Sequence, residues 1–225
     1  MSSHHHDSRA PTRETFIPAL RFHALTRMYD RLLAATLDEE KHKRALIEQA
    51  GLARGHAVLD LGCGTGTLTR MIKGSCPEAI VTGLDLDPAA LSIARRKAAE
   101  SLVDVSFVRG SATAPPFPPG SFDRVLTSLM FHHLVRAQKM SALRAVRSLL
   151  RPGGELHVLD WGRPQDRRME LAFLPVRILD GFEPTRDNAR GDLPALLREA
   201  GLEDVTETRH ARTVFGSLTW LRGRR

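Results

Sequence analysis

The sequence predicts an α/β protein in which helices cover both faces of a doubly wound parallel sheet. Short apolar runs of strand length alternate along the chain with stretches of helical periodicity. The first of these runs ends in a glycine-rich turn that is followed directly by a helix start, the arrangement that forms ligand sites in such sheets. The 225 residues, 42% hydrophobic and 26% charged, suit one domain of this kind with an elaboration.

Charge and cysteine content limit the partners and the compartment. The formal net charge is +7, but the basic residues are spread along the chain, so we interpret them as a solvated surface rather than a nucleic-acid interface. The chain shows no apolar run of roughly 18 residues and no signal-peptide pattern, so we expect no membrane span, although peripheral lipid contact stays open. Cys63 lies among glycines and Cys76 is the only other cysteine, which favours a reducing, cytoplasmic compartment.

The N-terminal residues predict a tail followed by a helical lid. Residues 1–15 are polar, and their three consecutive histidines indicate a flexible tail or a tag remnant rather than a metal site. Residues 16–54 predict two amphipathic helices, the second capped by Asp38 and ended by Gly51. These helices either cover the ligand site or simply pack on the sheet. The apolar positions of the first are Phe22, Leu25, Tyr29, Leu32 and Leu33.

The first strand leads into a ligand cradle. The apolar run Ala57–Leu61 predicts a buried strand, and glycines at positions 62, 64 and 66 allow the backbone to turn tightly and approach a ligand closely. Asp60 lies at the carboxyl end of this strand, where open α/β sheets bind ligands. The dinucleotide fingerprint requires a glycine at position 67, where this chain has Thr67. An NAD(P)-dependent oxidoreductase is therefore disfavoured.

The second strand ends in another acidic residue. The run Ile80–Asp85 predicts this strand, and Asp85 follows Gly66 by 19 residues. A carboxylate at this position can accept hydrogen bonds from both hydroxyls of a ribose. Asp87, which precedes a proline, is the better candidate for capping the next helix, over residues 89–99.

The later elements continue the alternation. We predict a third strand over residues 105–108 and a fourth over Phe122–Ser128, which runs into residues 129–134. A helix over residues 138–150 and a turn at residues 151–154 precede a fifth strand over residues 155–160.

Four motifs in this order resemble the class I S-adenosylmethionine (SAM) methyltransferases, particularly the ubiquinone/menaquinone-biosynthesis branch. They are Asp-Leu-Gly-Cys-Gly-Thr-Gly at 60–66, Gly-Leu-Asp-Leu-Asp-Pro at 83–88, Pro-Phe-Pro-Pro-Gly-Ser-Phe-Asp at 116–123 and Leu-Arg-Pro-Gly-Gly at 150–154. The pair Tyr29-Asp30 and the run His132-His133-Leu134 are also similar to that branch. The resemblance implies a Rossmann-like seven-stranded sheet whose last strand is antiparallel, formed by a terminal hairpin over residues 205–210 and 213–221.

The resemblance also implies SAM as the cofactor and S-adenosylhomocysteine as its product. Asp60 would anchor the ammonium group and Asp85 the ribose. Where the family often has Gly-Asp-Ala for the adenine, this chain has Gly-Ser-Ala, so Ser111 brings one acceptor without a charge and the Ala112 amide shares the contact. The predicted cofactor residues are Asp60, Gly62, Cys63, Gly64, Gly66, Asp85, Leu86, Ser111, Ala112, Ser128 and Leu129.

Methyl transfer from a sulfonium requires alignment, and a general base only where the acceptor must lose a proton. Candidates at the carboxyl edge of the sheet are His132, His133, Asp160 and Tyr29, and we favour His133. Each also has a structural interpretation: a histidine after a strand can simply be hydrogen-bonded, Asp160 can hold the loop that follows it, and Tyr29 can pack rather than face the sulfonium. We predict no metal ligands.

The acceptor site is expected beneath an insert at residues 165–192. An apolar stripe at helical spacing there, with arginines at its rim, suits a hydrophobic or anionic small molecule such as a quinone-like ring, a natural product or a lipid headgroup. Plain lid packing or a dimer contact is the alternative, so monomer and homodimer both stay open. Asp192 is expected to cap the next helix, over residues 193–200. The stripe comprises Met169, Ala172, Phe173, Val176 and Leu179, and the arginines are Arg163, Arg167 and Arg168.

Two other functions compete with methylation of a small molecule. An RNA or protein methyltransferase would use the basic surface, but aromatic residues for base stacking are scarce at 5% of the chain. A catalytically inert SAM-binding regulatory subunit is opposed by the intact glycine loop. The sequence leaves the acceptor atom open among O, N, C and S.

Overall fold

The computed structural model describes residues 38–225, which form one seven-stranded sheet in the order β3-β2-β1-β4-β5-β7-β6. The predicted fold class is confirmed, including the antiparallel last strand, since β7 runs antiparallel to both β5 and β6. The strands are β1 (Ala57–Leu61), β2 (Ile80–Asp85), β3 (Ser106–Arg109), β4 (Phe122–Ser128), β5 (Leu150–Trp161), β6 (Glu203–Thr213) and β7 (Gly216–Arg224).

Helices cover both faces of this sheet. One face packs against α4 and α7 and the other against α1, α2 and α5, each through a core of fully buried aliphatic side chains. The helices are α1 (Glu39–Ala50), α2 (Thr67–Ser75), α3 (Pro88–Glu100), α4 (Arg136–Leu149), α5 (Arg167–Asp180), α6 (Arg186–Arg190) and α7 (Leu193–Glu199), with a 3-10 turn at Phe131–His133. None of the helices in the described part of the chain is long and apolar enough to cross a membrane.

The strand order reverses between β1 and β4, which are parallel neighbours. Such a switch point opens a crevice at the carboxyl ends of the strands, because the connections from the two strands leave toward opposite faces. The glycine-rich turn follows β1 here, and residues 129–134 follow β4. The topology therefore brings the predicted cradle and the predicted histidines to one edge of the sheet.

The N-terminal prediction is tested only in part. Helix α1 ends at Gly51 in a left-handed conformation, as expected, and its buried side chains Leu46, Ile47 and Ala50 pack on the sheet. The predicted cap at Asp38 is wrong, because this residue is itself left-handed (φ 47°) and its side chain makes no capping hydrogen bond. The predicted tail (1–15) and the first part of the predicted lid (16–37) lie outside the described residues.

Three other local predictions need correction. The predicted turn at residues 151–154 is part of β5, where Leu150 already pairs with Phe122 across an irregular register and Gly154 accepts a hydrogen bond from the Arg225 amide. Asp192 precedes α7 without a side-chain cap, because its carboxylate pairs with Arg136 at 3.5 Å. The terminal hairpin is longer than predicted, since the pairing of β7 with β5 and β6 extends to Arg224.

Gly62, the first residue of the glycine-rich turn, is required for two physical reasons. Its φ of +75° is strained for any other L-residue, and an added Cβ would lie 2.5 Å from Cγ and 3.0 Å from Cβ of Met130. These Met130 atoms lie close to the backbone and cannot swing aside. The turn after β1 and the segment after β4 are thus packed together without space for a methyl group.

We predict that Gly62→Ala lowers the free energy of unfolding by about 3 kcal/mol, because conformational strain adds to the clash with Met130. Gly55→Ala is a matched control, since Gly55 has a similar φ of +78° but no atom within 4 Å of an added Cβ, and strain alone should cost about 1–2 kcal/mol. Urea denaturation measures both values. Equal losses in the two variants would contradict the packing argument.

Candidate active site

Backbone hydrogen bonds pin the glycine-rich turn to the end of β2. The amides of Gly62 and Cys63 both donate to the Leu84 carbonyl, at 2.8 and 2.9 Å, and the Gly66 amide donates to the Cys63 carbonyl at 2.9 Å. At Gly64, by contrast, an added Cβ would meet no atom within 4 Å. These hydrogen bonds hold the turn in place, and the space beside Gly64 is free. A ligand can therefore approach the backbone closely there.

Cys63 contributes shape rather than chemistry to this turn. Its side chain is buried, and burial, reinforced by the nearby carboxylates of Asp60 and Asp85, raises the pKa of the thiol above its usual range. A neutral thiol is neither a nucleophile nor a strong hydrogen-bonding group. The Cys63 amide is already hydrogen-bonded to the Leu84 carbonyl, and the Cys63 carbonyl to the Gly66 amide. A cofactor contact by Cys63 therefore stays a prediction.

Asp60 is a buried carboxylate at the end of β1. Its Oδ2 accepts a hydrogen bond from Thr69 Oγ1 at 2.6 Å, and burial raises the pKa of Asp60 to about 6 even though Thr69 and Lys43 favour the ionised form. Thr69 was not singled out by the sequence analysis. A cation that approaches Asp60 would favour the carboxylate, so the residue fits a positively charged ligand group.

Asp85 has a structural role besides the predicted one. Its Oδ2 accepts from the Gly64 amide at 2.8 Å and its Oδ1 from the Asp87 amide at 2.9 Å, which ties the glycine-rich turn to β2. Each carboxylate oxygen keeps a second lone pair, enough to accept from a ribose hydroxyl as well. Asp87 caps α3 as predicted, by accepting from the Ala89 amide at 2.8 Å. Leu86, between the two acids, is partly exposed at this edge.

Ser111 and Ala112 follow β3. The Ser111 hydroxyl is bonded to Thr113 Oγ1 at 2.7 Å and accepts from the Thr113 amide at 3.2 Å, so it stabilises its own turn. This local use of the hydroxyl weakens the case for a direct adenine contact by Ser111 and favours the main chain of Ala112. Both contacts stay predictions.

The end of β4 carries two features that fit a ligand site. The Ser128 Oγ atom is buried without a hydrogen-bond partner in the described part of the chain, which leaves a polar group to be satisfied. Leu129 has a left-handed backbone conformation (φ 54°), which is strained for a leucine. A hydrogen bond from its amide to the Leu159 carbonyl, at 2.8 Å, holds it in this conformation. The open side of Gly64 and the unsatisfied Ser128 hydroxyl therefore agree with a ligand at the switch point.

Asp160, at the end of β5, organises the first histidine. His132 Nδ1 donates to Asp160 Oδ1 at 2.8 Å, and both residues are buried. The same carboxylate accepts from the amides of Phe131 and Trp161 and from Asn188 Nδ2, at 2.8, 2.7 and 3.2 Å. Burial disfavours a charged His132, but Asp160 and Asp180 outweigh it and raise the pKa of His132. With all these donors, Asp160 is placed to hold His132 rather than to meet an acceptor.

Asp180, which the sequence analysis missed, stands beside both histidines. Its Oδ2 lies 3.6 Å from His132 Nε2 and its Oδ1 lies 3.6 Å from His133 Nδ1. The side chain of His133 is 37% exposed, whereas Asp180 is only 7% exposed. The surrounding protein and the charge of His132 lower the pKa of His133 well below its usual range, which favours a neutral ring. His133 is therefore the accessible member of this cluster.

A sequence signal for Asp180 existed. It is the last residue of α5, where the helix dipole disfavours an acidic side chain, so its presence there indicates an interaction elsewhere. Asn188 carried no such signal. Tyr29, the remaining predicted catalytic residue, lies outside the described residues.

The insert forms an apolar wall next to the cluster. Phe173 and Val176 of the predicted stripe are buried, with Phe173 packed 5.4 Å from Trp161, while the stripe positions Met169, Ala172 and Leu179 are partly buried. Arg163 and Arg177 line a cavity of about 240 Å³ beside Phe173. A larger groove of about 760 Å³ lies between α1 and α2, but none of the predicted site residues lines it.

Comparisons with known proteins agree with this geometry. A family described as a methyltransferase domain matches residues 58–154. A demethylmenaquinone methyltransferase of Thermus thermophilus is 38% identical over 146 residues, which are 65% of this chain and 65%, just under two thirds, of that protein. An uncharacterized methyltransferase of Synechocystis is 33% identical over 189 residues, 83% of this chain and 84% of that one. The apo structure of the SAM-dependent methyltransferase SibL superimposes with a TM-score of 0.67 at 26% identity, covering 83% of this chain and 55% of that one.

The matched residues include the glycine-rich turn, both acids at the strand ends and the two histidines after β4. The family and the fold identify the cofactor as SAM. The chain therefore belongs to the class I SAM-dependent methyltransferases.

Proposed function

We propose that this methyltransferase acts on a hydrophobic small molecule that carries an acidic hydroxyl, of the quinol-like class. The observation that carries the proposal is the exposed His133 imidazole, which stands next to the buried pair of His132 and Asp160 and beside the apolar insert. An apolar wall suits an aromatic ring, and an imidazole suits the hydroxyl proton that such a ring gives up. The name of the Thermus relative supports a quinol-like acceptor over a natural product or a lipid headgroup.

The cofactor-binding roles form part of the proposal. Asp60 provides the charge that complements the ammonium group, and Asp85 accepts from the ribose hydroxyls. The open backbone at Gly64 lies against the methionine part, while the Ala112 amide and the Ser128 hydroxyl complete the contacts. The free thiols of Cys63 and Cys76 agree with a reducing compartment such as the cytoplasm.

The protein supplies alignment and proton transfer, because SAM when bound supplies an activated methyl group. Trp161 and Phe173 are fully buried and pack against each other next to His132, so they support the site without contacting the acceptor. His133 receives the hydroxyl proton, which raises electron density on the acceptor. His132 is a positioning residue, fixed by Asp160, and its ring centroid lies 4.0 Å from that of His133 at an interplanar angle of 43°.

We predict that Asp85→Ala weakens binding of S-adenosylhomocysteine at least about tenfold, because it removes both the ribose acceptor and the brace on the Gly64 amide. Asp87→Ala is the matched control, since it removes a helix cap worth about 1 kcal/mol of stability and no cofactor contact. Isothermal titration calorimetry measures affinity and thermal unfolding measures stability. Unchanged affinity in Asp85→Ala would refute the ribose assignment.

We predict that SAM affinity falls as the pH drops through about 6, the pKa of Asp60 in the free protein. A cationic ligand favours the ionised carboxylate, so the complex binds the Asp60 proton less tightly than the free protein does. Affinity is therefore full above this pKa and declines below it, by up to about tenfold per pH unit. Calorimetry between pH 5 and 8 measures the profile. The substitution Asp60→Asn should flatten it, and a profile that survives the substitution would exclude Asp60 as its source.

We predict that His133→Asn lowers kcat on a reduced 1,4-naphthoquinol by about 10²–10⁴-fold while leaving SAM affinity unchanged, because the variant removes only the proton acceptor. His210→Asn is the control, since His210 is an exposed histidine on β6 whose ring pairs with Glu207. Methyl transfer from radiolabelled SAM measures kcat. A normal kcat in His133→Asn would remove the base from the mechanism.

A further inference from the structure

We propose that His132, His133 and Asp180 form a binding site for one divalent transition-metal ion, such as Zn²⁺. Each residue offers one ligand atom, and the three atoms lie within 4.8 Å of one another. Two imidazoles and one carboxylate are a common ligand set for ions of this class. No metal ligands are predicted from the sequence, in which Asp180 lies 47 residues beyond His133.

The distances within the cluster suit a shared ion. Both short separations, His132 Nε2 to Asp180 Oδ2 and His133 Nδ1 to Asp180 Oδ1, are 3.6 Å, which is beyond hydrogen-bond distance. Ligand atoms bonded to a tetrahedral ion at about 2.0–2.1 Å lie about 3.3 Å apart. Binding therefore requires the three ligand atoms, which lie within 4.8 Å of one another, to approach this spacing, a movement for which the exposed ring of His133 has room.

Asp160 gives His132 the orientation that a metal ligand needs. A carboxylate can only accept a hydrogen bond when ionised, so His132 Nδ1 carries the proton toward Asp160 and Nε2 is directed at Asp180. Metal-binding histidines in proteins are usually held in this manner, with the second ring nitrogen donating to a carboxylate. Asp160 is in turn fixed by main-chain amides and Asn188, so the orientation is rigid.

Charge also favours a divalent cation here. Asp160 is buried and the Asp180 side chain is 7% exposed, and the nearby Lys139 ammonium already binds Asp187 at 3.1 Å and the Pro184 carbonyl at 2.6 Å. A divalent ion at the three ligand atoms would place positive charge beside both carboxylates, which favours its binding. The 37% exposure of His133 provides a route for the ion to enter.

Occupation of this site would change the chemistry of the proposed function, on which this consequence rests. A metal ion lowers the pKa of a hydroxyl that it binds, so the ion would activate the acceptor oxygen directly. His133 would then act as a ligand rather than as a free base. Binding of the ion itself depends only on the three side chains.

The test is titration of the full chain with Zn²⁺ and Co²⁺, in a variant in which His4, His5 and His6 are replaced by alanine so that the N-terminal run does not compete. We expect one ion per chain by calorimetry and elemental analysis, with Co²⁺ giving the visible absorption of a low-coordinate site. Asp180→Asn and His133→Asn should each weaken binding at least about tenfold, and Asp160→Asn by about 10–100-fold. His210→Ala, the matched surface control, should leave binding unchanged.

No stoichiometric binding in the variant without His4, His5 and His6, or binding that survives Asp180→Asn, would overturn the metal site. S-adenosylhomocysteine affinity, measured in the same samples, shows that each variant is folded, and methyl transfer to a reduced 1,4-naphthoquinol tests the proposed function separately. No methyl transfer with intact Co²⁺ binding would reject the proposed function and keep the metal site. The reverse result would reject the metal site alone.

Discussion

The buried carboxylate of Asp160 is the interaction on which the acceptor side of this enzyme depends. Four donors from three segments converge on it: two from the turn after β4, one from its own strand end and one from α6. An isolated buried carboxylate would cost several kcal/mol, and these hydrogen bonds offset that cost only if all three segments keep their places. The position of His132 is thereby fixed by the same contacts that hold β4, β5 and the insert together.

The insert is attached to the rest of the protein by further buried polar contacts. Lys139 of α4 is fully buried and bonds to Asp187 and to the Pro184 carbonyl, and Arg136 bonds to Asp187 at 2.9 Å. These contacts fix α6, and with it Asn188, whose amide reaches both Asp160 and the Trp161 carbonyl. Loss of one partner from such a network leaves a buried charge unpaired, so the network makes the insert a rigid part of the site.

The parts of the structure that the sequence predicts well are those determined by local chemistry. The bounds of β4, the helix cap at Asp87 and the glycine turn follow from apolar runs, from proline after a capping acid and from backbone geometry. Each of these signals involves residues close together in the chain.

The wrong and the missed predictions concern features that are not determined by local chemistry. Asp38 has the composition of a cap, but its left-handed backbone directs the side chain away from the helix amides. Residues 151–154 have the composition of a turn, but pairing of Leu150 with Phe122 continues the strand through them. Asp180 and Asn188 reach the site only through tertiary packing of the insert. No periodicity or spacing in the sequence encodes a contact between residues about 50 positions apart.

The two halves of the active site are therefore built on different principles. The proposed cofactor half consists of strand ends and the glycine-rich turn, which tolerate little change, as the contact between Gly62 and Met130 shows. The proposed acceptor half draws on side chains of the insert, which Asn188 and Asp187 hold in place. Asp180 lies on the insert helix α5 and also faces both histidines. Under the proposed function, a change in the insert that moves Asp180 would also move the groups that control the acceptor proton, so that acceptor choice and acceptor activation would be physically linked.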